Sequence, residues 1–216
     1  MMRYVIIYLL SVHIAFSAFA QKGGNDSSQA SVDTVSSAWR FEADIYYYVL
    51  PHEKNTSTLI GYADHKSLHL EARYNYEDVK TASLFVGYSF EAGHKLKLTI
   101  TPMIGSVFGN TNGFVSGLEA SLKWKKLDFY TESEYVFDLA GKENDFFYSW
   151  TELAITPFTN FRTGISGSRT RLFHSTLEVQ KGLFMEYSFW KLTAGVHYFN
   201  PFSDEYFVIA TLAFEF

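Results

Sequence analysis

Charged residues recur at every second position along much of this 216-residue chain, as in Arg40, Glu42 and Asp44, in His69, Glu71 and Arg73, and in Asp128, Glu132 and Glu134. Glu119, Glu152, Glu178 and Glu186 hold similar places in other runs. Residues two apart on an extended segment point to the same side, so each run gathers its charges on one face. Such a face supports two kinds of chemistry. Carboxylates inside low-dielectric walls concentrate cations and line a narrow, cation-preferring passage. The same groups, held by Arg40 and Arg73, form instead a salt-bridged plug, because buried charges persist only when paired. Metal binding has less to rest on: His69 and Glu71 are two apart and Thr193 and His197 four apart, and polar packing explains both. No cofactor is expected.

Catalysis has thinner material still. A nucleophile, a base and an orienting acid are needed near one another. His174-Ser175 and His52-Glu53 are the available pieces, and neighbours on an extended segment point apart. A lipid hydrolase or acyltransferase therefore ranks behind a passage and a closed structural barrel. The chain has no cysteine, which excludes disulfides and thiolate metal sites. Its formal charge of −5, without a basic patch, argues against nucleic acid as a partner.

The elements that must position these charges are strands. Trp39, Phe41, Ala43, Ile45, Tyr47 and Val49 alternate with Arg40, Glu42, Asp44, Tyr46 and Tyr48. The same period of two runs through 82–90, 96–104, 114–124, 127–137 and 177–189, and a helix would not set a charge between every pair of apolar residues. Ten such residues make one tilted membrane crossing. Fifteen Tyr, 21 Phe and 4 Trp with only 4 Pro suit a wall with lipid outside and a polar lumen inside. Strands are expected at 38–49, 58–64, 68–77, 81–91, 95–107, 113–124, 127–138, 145–156, 160–171, 176–189, 191–199 and 205–216. Segment 58–64 is the shortest of these, and the alternative is a ten-strand barrel with it absorbed in a loop and another pair merged. Pro102 falls inside a strand and predicts a local bulge or kink. Gly164 and Gly167 leave the facing of 160–171 open, with Arg162 or the pair Arg169 and Arg171 available to the lumen. Lys181 shares phase with Val179 and Leu183, so it either snorkels to the outer headgroups or is turned inward at Gly182.

Arg3, an apolar run from Tyr4 to Phe16 and Ala18-Phe19-Ala20 read as a secretory signal cleaved near Ala20. Residues 21–36, polar and without period, read as a flexible periplasmic tail, leaving 37–216 as the barrel. At the other end Tyr206, Val208, Ala210, Leu212, Phe214 and Phe216 alternate up to a terminal aromatic. Tyr206, Phe214 and Phe216 are thus expected to be the signal read by the outer-membrane assembly machinery.

The string Leu68-His69-Leu70-Glu71-Ala72-Arg73-Tyr74-Asn75-Tyr76-Glu77, with Glu134 to Asp138 and Phe146 to Leu153, resembles an uncharacterised family of Gram-negative outer-membrane β-barrel proteins. The resemblance implies a barrel over nearly all of the mature chain and supplies no catalytic residue. The expectation is an all-β, transmembrane, up-and-down antiparallel barrel of twelve strands in the outer membrane. Outer-membrane lipids and lipopolysaccharide are its expected partners, with loop residues Lys54, Lys80 and Lys142 able to meet their phosphates.

Overall fold

In the computed structural model, residues 38–51, 53–172 and 178–216 are described; the signal, the tail, His52 and the His174-Ser175 pair lie outside them. The strands are β1 Arg40–Val49, β2 Thr56–His65, β3 Leu68–Tyr74, β4 Ala82–Tyr88, β5 Phe90–Ala92, β6 Leu96–Phe108 and β7 Gly113–Trp124. They continue with β8 Leu127–Asp138, β9 Phe146–Phe158, β10 Phe161–Leu172, β11 Glu178–Phe189, β12 Leu192–Phe199 and β13 Phe207–Glu215. β4 and β5 both pair with β6 and form one stave, so thirteen elements make twelve staves. Every neighbour is antiparallel and next in sequence, and β13 returns to pair with β1 from Glu42 opposite Glu215 to Val49 opposite Val208. The sheet is closed and leaves no edge for another chain to extend. Segment 58–64 belongs to a full ten-residue strand, which decides the count in favour of twelve.

Turn lengths differ between the two ends. At the end holding the start of β1 and the close of β13, strands are joined by tight turns in which Lys66, Gly93, Lys125, Asn160 and Trp190 take positive φ. Connections at the opposite end are longer: 50–55, 75–81, 109–112, 139–145 and 200–206. Short turns on one side and longer loops on the other are the habit of transmembrane barrels.

The outer wall is apolar, in bands. Leu84, Val86, Ile104, Leu118, Leu153, Ile165, Leu183 and Met185 lie at mid-height, all well exposed. Trp39, Phe41, Trp124, Trp190 and Phe216 ring the end with tight turns, and Tyr47, Tyr74, Phe114, Phe137 and Tyr206 ring the other. Exposed aliphatics between two aromatic girdles are unfavourable in water and favourable across a bilayer. The barrel is therefore a membrane-spanning one.

Two local departures from the alternation have physical causes. Pro102 leaves β6 in register with β7, where it faces Leu118; its effect falls on the other neighbour. It has no N–H to give to the stave opposite, and that stave breaks at Ser89, between β4 and β5. The Ser89 and Thr101 hydroxyls, 2.9 Å apart, bridge the gap. Secondly, β3 ends at Tyr74, short of the expected 77. Asn75 adopts φ 57°, a conformation asparagine tolerates better than most residues, and its side chain accepts a bond from the Lys80 amide at 2.7 Å. The turn resets the phase, so Tyr76 and Glu77 are both buried although adjacent.

Candidate functional site in the barrel interior

The inward residues of β3 and β8 meet across the lumen. Arg73 is buried, and its guanidinium lies 2.5 Å from Glu71, 2.9 Å from Glu132 and 3.1 Å from Glu134, with Glu77 at 3.9 Å. Tyr76 and Phe85 cover it, with ring centroids 4.2 and 4.1 Å from its central carbon. The fork of guanidinium donors suits several carboxylates at once, and both ring faces are attractive to the cation. Tyr76 also donates to Glu132 at 3.0 Å, and Tyr130 to Glu119 at 3.1 Å. β3 and β8 are not adjacent staves, so these bonds measure how narrow the barrel is.

A second base holds the region nearer the tight-turn end. Arg162 lies 2.6 Å from Asp128, 2.7 Å from Glu152 and 2.9 Å from Glu186. Among the described side chains of β10 it is the inward base; the register against β9 shifts between Phe161 and Thr163 and then runs evenly, leaving Arg169 on the outside, and the Arg171 side chain lies outside those described. His69 bridges Asp64 at 2.7 Å and Glu71 at 2.6 Å, using both ring nitrogens. His69, Glu71 and Glu119 have ligating atoms within 4.8 Å of one another, but Arg73 already occupies Glu71, and the cluster reads as a polar network.

Towards the loop end the interior becomes aromatic. Tyr46, Tyr48, Tyr148 and Trp150 point inward and are at most 4% exposed, packed with Phe199, Phe207 and Ile209. The Trp150 indole N–H donates to Glu152 at 3.1 Å, joining the aromatic layer to the charged one.

Of the residues singled out in the sequence, Asp44, Glu71, Arg73, Glu119, Glu132, Glu134, Glu152 and Glu186 are buried inside, while Glu42 and Asp128 are half-buried. Arg40 departs from its expected part: it is exposed at the mouth, its nearest described acid Asp64 at 3.8 Å, because it opens its strand beyond the packed interior. Lys97 and Lys123 also sit near that mouth, on facing positions of β6 and β7. The side chain of Glu178 lies outside the described residues. Continued past Arg73, the alternation puts Tyr76 on the lipid side with Tyr74 and Glu77 on the inward side, and it gives no sign that Phe85 meets a charge. An asparagine before an aromatic-acid pair was the available sign of a phase reset at Asn75. Glu77, beyond the end of β3, is pushed up to about 7, first by burial, with the Arg73 charge and the Ser83 hydroxyl acting against it.

The proposed assembly residues are at the seam or near it. Phe216 donates its amide to Phe41 at 3.0 Å and stacks on Phe41 and Phe214 at 5.8 and 5.9 Å. Tyr206, exposed, precedes β13 at the loop end and meets Tyr198 edge-on at 6.1 Å. Lys181 points outward and is exposed, the first of the two placements its phase allowed.

Solved structures share this fold. The KdgM porin aligns over 81% of this chain and 99% of its own at 12% identity, with a TM-score of 0.59. The same porin in complex with disordered oligogalacturonate gives 0.57 at 10% identity, covering 81% of this chain and 99% of that one. The NanC porin gives 0.56 at 11% identity, over 80% of this chain and 97% of its own. No family model and no curated protein matches the chain. The likeness is one of fold: a closed antiparallel barrel of twelve staves.

Proposed function

We propose that this protein is a narrow, cation-preferring passage of the outer membrane, with its loop end outward and its tight turns in the periplasm. The observation that carries the reading is a charge imbalance. Among the described residues, Asp44, Glu71, Glu77, Glu119, Glu132, Glu134, Glu152 and Glu186 are buried inside, against two guanidinium groups, Arg73 and Arg162, and two histidines, His69 and His197. A permanently sealed interior would hold that excess of acid at high cost, since unpaired buried charge is strongly unfavourable. Protons or small cations entering from water relieve it. Among the described residues, Glu77 Oε2 and Glu134 Oε2 are buried and accept no hydrogen bond, a need that a proton or small cation would meet.

The interior also argues against a polyanionic solute. One of the structures alike in fold holds oligogalacturonate, an acidic sugar chain. Acidic walls repel such a ligand here, and fold alone carries no substrate across from one barrel to another. A closed structural barrel is the second reading, favoured by the packed aromatic layer of Tyr46, Tyr48, Tyr148 and Trp150.

Planar-bilayer recording of the refolded protein separates the two. Small discrete steps whose reversal potential in a salt gradient follows the cation are expected. Silence over a wide voltage range leaves the closed barrel, and anion selectivity overturns the charge argument. The pH dependence has a definite sign. Glu77 titrates near 7, so raising pH from 6 to 8 adds negative charge at the outer end and should increase cation selectivity. Glu77→Gln should flatten that dependence.

A further inference from the structure

Among the described side chains, the outward face of the barrel carries almost no charge. Among outward strand residues with described side chains, the acids are absent and the fixed cations are two, Arg169 on β10 and Lys181 on β11. They are diagonal neighbours, since Arg169 faces Val179 and Gly167 faces Lys181. Between them and β9 the wall is hollowed into a groove of about 540 Å³. Its floor is low because Gly167 has no side chain and Ser149 and Thr151 beside it are short. Leu153, Ile165, Val179 and Leu183 make its sides apolar.

We propose that this groove holds one phosphorylated, acylated lipid of the outer leaflet, with an acyl chain in the hollow over Gly167 and a phosphate on Arg169 and Lys181. Charge complementarity selects the occupant. Cations near the loop end of the wall, level with the Tyr198 and Tyr206 girdle, stand where lipid phosphates lie, and paired cations hold phosphate through charge-assisted bonds. A second copy of this chain brings no outward strand acid among the described residues to meet them, so the same face on a partner repels. The inference takes its orientation from the proposed outer-membrane reading, but the groove's ligand does not depend on whether the lumen conducts.

The test uses the refolded barrel in zwitterionic detergent, with its fold checked by heat modifiability and its bound lipid counted by native mass spectrometry. Diphosphorylated lipid A is the probe. One molecule per barrel is expected to persist, with retention lowered about tenfold or more in Arg169→Ala/Lys181→Ala. Gly167→Trp keeps both cations and fills the hollow. A Cβ at Gly167 meets only the Gln180 carbonyl oxygen, at 3.8 Å, so this variant should fold and should also lose the lipid. Dephosphorylated lipid A and phosphatidylcholine should compete poorly. Equal retention by the double alanine variant overturns the proposal, as does a dimer that Gly167→Trp dissociates while lipid leaves it intact. Loss of conductance with lipid retained counts against the passage and leaves the groove standing.

Discussion

Arg73→Ala is expected to destabilise the folded barrel by about 3–5 kcal/mol, read as a clear fall in the temperature at which its heat-modifiable form is lost. The size follows from what stays behind. Glu71, Glu132 and Glu134 lie within 3.1 Å of the guanidinium, and all of them are buried. Without Arg73 three carboxylates face one another across a narrow lumen, and Tyr76 and Phe85 lose the cation they cover. Arg73→Lys should recover part of the loss, because an ammonium keeps the charge but cannot present a planar fork to several acids. A second readout keeps structural and conducting roles apart. In a passage, removing the central cation should also raise cation selectivity, whereas in a sealed barrel the temperature falls and the bilayer stays silent. An unchanged melting temperature would show that water, not Arg73, neutralises these acids.

The network was partly legible in the sequence, and the limits are instructive. Strict alternation from Ala38 to Phe216 identified staves and their inward faces, because a period of two assigns a side to each residue as soon as one face is apolar. It therefore placed Glu71, Arg73, Glu132 and Glu134 inside together. Alternation says nothing of barrel width, so it leaves contact between β3 and β8 conditional on a narrow lumen, and Arg73 meets that condition by bridging them. Nor does it survive a residue of positive φ. The turn at Asn75 takes Tyr76 off the lipid phase and onto Arg73, while Glu77 keeps the inward side that its phase gives it. Position along the stave was the other missing coordinate: Arg40 has the inward phase of Asp44, yet lies at the mouth and is solvated. The groove over Gly167 was invisible for a related reason, since it needs three adjacent staves to place small residues at one height.

Trp150→Ala should widen the narrow part of the lumen. Trp150 is fully buried on β9, faces Glu132 on β8 and Ser168 on β10, and packs against Phe199 and His197 at ring-centroid distances of 5.1 and 5.9 Å. Truncating a buried tryptophan costs about 3–5 kcal/mol when the space left behind stays empty. Here the space is bordered by Glu132, Glu152 and Ser168, so it offers water several polar partners and should fill. Hydration replaces some of the lost contacts, and the stability loss should fall toward the lower end of that range. The larger effect is on passage: a hydrated gap joins the charged layer around Arg162 to the loop end, and single-channel steps should grow with cation preference retained. Trp150→Phe distinguishes volume from bonding. It keeps a ring in the gap but removes the N–H that donates to Glu152 at 3.1 Å, so it should leave step size near that of the parent and alter stability chiefly through Glu152. Steps of unchanged size in a folded Trp150→Ala barrel would move the constriction elsewhere, to the Arg73 layer.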